Sequence, residues 1–198
     1  MNNIKSFSII YSVVFMIIFA GCSSVPIPKV TKYSLDTPVS ENTTIKKINV
    51  SLRRVTGRTQ YDKRTISISP APHVMDSYST SQWMESPCNM LTDDTIAYLS
   101  KKFAYVTLYP DNFNKHTSYT VTIFIDELNH VKRDDKWYAV LKLKYEIKSG
   151  KEKEIVINNR FEKKIELSDS SVQSYVNAQN ISVGKFLQQL TSELTKID

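Results

Sequence analysis

YTVTIFIDELNHVKRDDKWYAVLKLKYEIKS, residues 119–149, is the stretch that decides the fold. Val121, Ile123 and Ile125 alternate with Thr122, Phe124 and Asp126. Ala139, Leu141, Leu143, Tyr145 and Ile147 then alternate with Tyr138, Val140, Lys142, Lys144 and Glu146. Apolar residues at every second position line one face of a strand, so two half-buried strands are expected. Asp134-Asp135 reads as a loop tip, and Ser149-Gly150 as a hairpin turn into a strand holding Val156 and Ile157 and running through Phe161 to Ile165. Connections this short leave no room for helical crossovers, so the meander reads as antiparallel.

Beyond the meander the period changes. Val172, Val176, Gln179, Val183, Phe186, Leu187, Leu190, Leu194 and Ile197 form one stripe at helical spacing, with Lys185 and Lys196 opposite. Ser168-Asp169-Ser170 supplies capping residues for this helix. The stripe is too short for a sustained coiled coil and is expected to pack on the sheet. Upstream, Ser86-Pro87 looks like a helix start, because serine caps free amides and proline suits the first helical position. Leu91, Ile96, Leu99 and Phe103 cover one side of that helix, and a short strand over Tyr105–Leu108 precedes the turn at Pro110-Asp111. Further strands are expected at Ile48–Leu52 and at Arg64–Ser69, the latter ended by Pro70 and Pro72; Tyr78–Gln82 reads as a loop. The expected fold is α+β: a single two-layer domain, its mostly antiparallel sheet packed by two main helices near residues 87–103 and 169–197.

The amino terminus has a different character. A short polar start containing Lys5 leads into an apolar run from Ile9 to Ala20. The run suits a signal peptide and falls short of the roughly 20 apolar residues that span a bilayer. It ends in Phe19-Ala20-Gly21-Cys22, which resembles the lipobox of bacterial lipoprotein precursors. The resemblance implies cleavage between Gly21 and Cys22, with Cys22 carrying an S-diacylglyceryl group and an N-acyl chain. The alternative is an uncleaved anchor with an incidental cysteine. Several acyl chains hold a protein far more firmly than one. The residue after the cysteine is Ser23 rather than Asp, which the lipoprotein sorting rule reads as outer membrane, facing the periplasm. Residues 1–21 are thus read as signal peptide, 22–44 (rich in Ser, Thr and Pro) as lipidated terminus and tether with a short edge strand at Tyr33–Leu35, and 45–198 as the folded domain.

The remaining chemistry is sparse. The chain has 26 Lys and Arg against 20 Asp and Glu, a net charge of +6. The signs are mixed, and no basic-aromatic patch points to nucleic acid. With Cys22 acylated, Cys88 has no cysteine to pair with; it shares a helical face with Leu91 and Leu99, so a buried, inert thiol is expected. Gly57, Gly150 and Gly184 lie in no phosphate-cradling loop. His73, His116 and His130 stand apart without metal-ligand spacing, and no serine occupies a nucleophile elbow. Asp93-Asp94 reads as a solvated helix turn. No catalytic residue, metal site or cofactor is expected.

Trp83-Met84-Glu85, just before the first helix, is the most distinctive cluster. Trp83 either plugs the end of the core while Glu85 helps satisfy the helix amides, or the two form a partner-facing patch. Several features then fall in order: the lipobox, Tyr33-Ser34-Leu35, Trp83-x-Glu85 before a helix, the β meander, and a closing helix containing Tyr175-Val176-Asn177-Ala178. Together they resemble the ABC-type transport auxiliary lipoproteins, which include the lipoprotein component of paraquat-inducible (Pqi) systems. In that family the first motif usually runs Trp-x-Glu-Pro-Leu; here it runs Trp83-Met84-Glu85-Ser86-Pro87, the proline displaced by one. The resemblance implies a non-enzymatic accessory protein working with an MCE-type protein and a permease that move lipids or other hydrophobic molecules across the envelope, with ATP hydrolysed elsewhere. It leaves a homo-oligomer open. The competing reading is a stand-alone surface or periplasmic binding or assembly lipoprotein; an envelope hydrolase would need a polar cleft with convergent titratable groups.

Overall fold

The computed structural model describes residues 28–37, 45–110, 117–150 and 152–197. The lipobox, including Gly21 and Cys22, lies outside the described residues. Nine strands form one sheet: β1 (Thr31–Tyr33), β2 (Lys46–Arg53), β3 (Thr56–Gly57), β4 (Thr65–Ser69), β5 (Asp76–Trp83), β6 (Phe103–Tyr109), β7 (Tyr119–Arg133), β8 (Lys136–Ser149) and β9 (Ile155–Glu166). Helix α1 (Pro87–Ser100) follows β5, and α2 (Val172–Lys196) closes the chain.

The meander is built as its alternation requires. β7 pairs antiparallel with β8, and β8 with β9. Val121, Ile123, Ile125, Leu141, Leu143, Tyr145 and Ile147 are all essentially inaccessible to solvent. Arg133 faces Lys136 across a two-residue turn in which both Asp134 and Asp135 have positive φ (50° and 57°), the backbone that matches the twist of a tight hairpin. One register shift interrupts the ladder: Ile125 pairs with Leu143 and Glu127 with Lys142, which leaves Asp126 as a bulge. The extra residue shifts the alternation, so that Leu128 and His130 join the buried face, while Asn129 and Val131 are buried as well.

The sheet as a whole is mixed. The free edge of β7 is shared in sequence by β2 at Tyr119–Val121, by β3 at Phe124-Ile125 and by β4 at His130-Val131, all parallel to it. β6 adds parallel to β2, while β5 adds antiparallel to β4. Antiparallel pairing, in the meander and between β4 and β5, therefore predominates, and short parallel pairings join the remaining strands.

Four expectations change in detail. Residues 78–82 are not loop but part of β5, a strand of mostly small hydroxyl residues whose partners β1 and β4 supply what its own side chains lack. Residues 31–37 belong to the domain and not to a tether: β1 pairs parallel with β5, Leu35 is buried and Thr37 nearly so. The edge strand thus precedes the expected Tyr33–Leu35 by two residues, and residues 38–44 lie outside the described segments. The first helix ends at Ser100, and Phe103 keeps its buried place as the first residue of β6.

Both helices start as their caps dictate. Ser86 Oγ accepts from Asn89 N–H with Pro87 at the first position, and Ser171 Oγ accepts from Ser174 N–H. The α2 cap is therefore Ser171, one residue past the expected Ser168–Ser170. Asp169 supports it by accepting from Ser171 N–H at 2.7 Å and from the Ser174 hydroxyl at 2.9 Å. These bonds hold the Asp169 carboxyl down at about 2. α2 lies across β8 and β9, and α1 against β6 and α2.

Candidate functional site

The expected cluster does not form a patch. Trp83, at the end of β5, is completely buried, whereas Glu85 points to solvent two residues later. The strand ends at Trp83, so its alternation no longer governs Glu85, which lies in the exposed turn before α1. What Trp83 meets instead is a polar-aromatic joint between β5, β7, β8 and α2.

At its centre is His130, buried on the inner face by the Asp126 bulge. Its ring stacks on Tyr175 of α2, with centroids 5.0 Å apart and an interplanar angle of 15°, and lies 4.5 Å from Trp137. Nδ1 is 2.7 Å from the Tyr78 hydroxyl. Trp83 packs against the other side of Tyr175 at 6.0 Å. Below them Tyr61 donates to Asn129 Oδ1, and Gln179 donates through Nε2 to the Val140 carbonyl. Burial pushes the His130 imidazole down to about 4, with Asp169 pulling weakly the other way, so the ring is neutral at physiological pH. Burial also drives the Tyr175 hydroxyl well above its ordinary value.

Two polar atoms in this joint, Trp83 Nε1 and His130 Nε2, have no protein partner, while the Tyr175 hydroxyl lies close to the Gln179 amide, which pulls its pKa down against the effect of burial. Each belongs to a side chain fully withdrawn from solvent. Unpaired buried polar groups are uncommon and cost stability, which marks this as the most polar part of the core. Its hydroxyl–imidazole contact is that of Tyr78 with His130 Nδ1, and no pair of carboxylates lies among the residues that form it. Its chemistry is that of a packed joint tying α2 to the sheet.

The other residues singled out in the sequence stand apart. Cys88 is buried, and its thiol is pushed up to about 12 by burial and by the neighbouring Asp62 carboxylate, which leaves it unreactive. Asp94 departs from the expected solvated turn. It is half-buried, accepts from the Thr37 hydroxyl at 3.1 Å, and so clips the 31–37 segment to α1; burial raises its carboxyl to about 6. His73 sits with φ 64° in the β4–β5 loop, and His116 falls outside the described residues. Among the described residues no three His, Cys, Asp or Glu side chains gather as metal ligands. No helix among them is long and apolar enough to cross a membrane.

On the surface, a polar groove of about 320 Å³ lies between the 3-10 turn at Thr59–Asp62 and the bulged part of β7, lined by Arg58, Tyr61, Met75, Asp126, Glu127 and Lys142 among others. Its charges are already paired. Arg58 Nη2 reaches Asp126 at 2.7 Å, and Lys142 bridges Glu127 and Glu162 at 3.2 and 3.3 Å. Arg58 hydrogen-bonding holds the Asp126 carboxyl below its ordinary range. The groove thus serves to pin the bulge, and through it the position of His130. The bulge was not read from the sequence; the only signal was that the alternation stops at Asp126.

Comparison with known proteins places this geometry. No curated protein matches the sequence. Among solved structures, protein XCC0632 from Xanthomonas campestris superposes with a TM-score of 0.73 at 14% identity, covering 85% of this chain and 100% of its own. A second crystal structure, of an uncharacterized protein, gives 0.67 at 9% identity and covers 84% and 99%. At such identities the likeness concerns the fold. The family model for the ABC-type transport auxiliary lipoprotein component matches residues 33–191, from the last residue of β1 to the last turns of α2. The span takes in Trp83, His130 and Tyr175, so the joint lies inside the matched unit, and the chain belongs to the ABC-type transport auxiliary lipoprotein family.

Proposed function

We propose that this protein is a non-enzymatic, lipid-anchored docking subunit of an envelope transport complex, cleaved between Gly21 and Cys22 and held by Cys22 at the outer membrane, facing the periplasm. The observation that carries the reading is the family match across residues 33–191, which begins eleven residues after a lipobox-like sequence. An auxiliary component needs a rigid body and a fixed address more than a reaction centre. The joint around His130 supplies rigidity, and the anchor supplies the address. In this reading the partners are an MCE-type protein and a permease that move lipids or other hydrophobic molecules between the membranes. ATP hydrolysis belongs to a separate subunit.

The test is crosslinking in intact cells at native expression, followed by capture of the full-length lipoprotein and identification of what comes with it. Recovery of an MCE-type protein supports the reading. Recovery of the lipoprotein with no envelope transport component overturns the docking role and favours a stand-alone binding lipoprotein.

A further inference from the structure

We propose that the loop between β4 and β5 rests on the bilayer that holds the anchor, with Val74 and Met75 dipping into its interfacial layer; this inference relies on lipidation of Cys22. The loop, residues 70–75, reads PAPHVM and carries no formal charge at neutral pH. Val74 is 45% and Met75 53% exposed, two large apolar side chains side by side where solvent-facing polar residues would be ordinary. The Val74 N–H donates to the Ala71 carbonyl at 3.2 Å, so a closed turn presents the pair.

The strand register relates this loop to the anchor. β1 runs parallel to β5 with Thr31 beside Ser81. Traced backwards from Thr31, the chain therefore heads toward Asp76, the start of β5, and toward the loop. Ser81 and Asp76 are five residues apart, on the order of 17 Å of strand. Cys22 precedes Thr31 by nine residues, at most about 30 Å of extended chain. That length exceeds the distance from Thr31 to the loop, so an anchor at Cys22 leaves the loop free to reach the bilayer.

The opposite pole is the β8–β9 turn, with exposed Ile155 and Val156. Ile68 pairs with both Asp76 and His130, whereas Tyr119 pairs with Ser149, so eleven residues of β7, about 36 Å, separate the two levels. β1 enters the sheet from the loop's side, so that pole lies beyond β1 from the end at which the chain enters. At the loop's own end the neighbouring hairpin charges are partly paired, Lys132 with Asp135 and Lys136 with Glu166. Asp76, Arg133 and Asp134 add charge at the same end, so the apolar contact is confined to Val74 and Met75 themselves. Two half-exposed side chains bind a bilayer weakly on their own; the anchor makes the contact effective by confining the loop near the surface.

The experiment uses the mature lipidated protein in phosphatidylcholine vesicles, with a nitroxide on Met75→Cys or, separately, on Val156→Cys. Cys88 is buried and does not compete for label. The expected result is that anchoring raises oxygen accessibility and lowers nickel-chelate accessibility at position 75, relative to the soluble Cys22→Ser form, and changes neither at position 156. Position 75 remaining water-exposed in vesicle-bound protein overturns the proposal and leaves the anchor reading intact. The reversed pattern, with 156 in lipid, overturns it as well. Failure of the mature protein to stay with the vesicles removes the anchor and the proposal with it.

Discussion

Protonating an imidazole that is sealed among aromatic rings costs free energy that the unfolded chain does not incur. His130 sits at about 4 in the fold against 6.5 free, so the unfolded chain takes up the proton first as the pH falls. Its contribution to stability is complete above about 6.5 and declines toward 4. Asp94 acts in the opposite sense. Its carboxyl is raised from 3.8 to about 6, so its contribution is complete below 3.8 and is lost as the pH rises through 6. Urea titrations at pH 7 and 4.5 separate the two: His130→Phe flattens the acid decline, whereas Asp94→Asn stabilises at pH 7 and loses that advantage toward pH 4. In the same joint, Trp83→Ala should cost about 3–5 kcal/mol. Tyr175→Phe, which deletes a hydroxyl beside the Gln179 amide, should change stability by about 1 kcal/mol or less. Denaturant midpoints at neutral pH check both. Trp83 was conspicuous in the sequence because it stands in Trp83-Met84-Glu85 just before a helix start. His130 was not, because the bulge that turns it inward depends on Arg58, just after β3, and Lys144 of β8 closing on Asp126.

At the scale of elements, the strongest local patterns were legible. The α2 stripe, the Ser86-Pro87 start and the alternation of β7 and β8 each follow from side chains within one segment. β5 was illegible for the converse reason. Its serines and threonines carry little apolar periodicity, and its strand character comes from β1 on one edge and β4 on the other. The segment at 31–37 likewise gains its place from contacts far along the chain, Asp36 N–H to Asn180 and Thr37 to Asp94. The caps give an element-scale prediction. Ser86→Ala and Ser171→Ala should each destabilise the protein by about 1 kcal/mol, since each strips an acceptor from the first turn of its helix. Thermal unfolding of the single and double variants checks this, and the two losses should add because the caps share no partners.

At the scale of the molecule, the two-layer α+β architecture could be read from element order, while the mixture of parallel and antiparallel pairing could not. The parallel half depends on which distant strand takes which part of the β7 edge, and no local pattern records that choice. The whole-molecule prediction concerns Cys22. Cys22→Ser should free the domain from the membrane fraction with its circular dichroism spectrum and melting temperature unchanged, and abolish function in the transport complex. Full activity of the released form would contradict it. The sharing of the β7 edge has one more consequence, for the order in which the chain can fold. β2 can pair with β6, and β4 with β5, before β7 is made, but these pieces and β3 are joined into one sheet only when residues 119–131 arrive. A chain stopped after β6, such as residues 22–110, should stay unfolded by circular dichroism and be quickly digested by proteases. High contact order of this kind slows folding and leaves apolar strands exposed meanwhile. The first half of this protein therefore depends on staying unfolded and unaggregated until its organising strand has emerged.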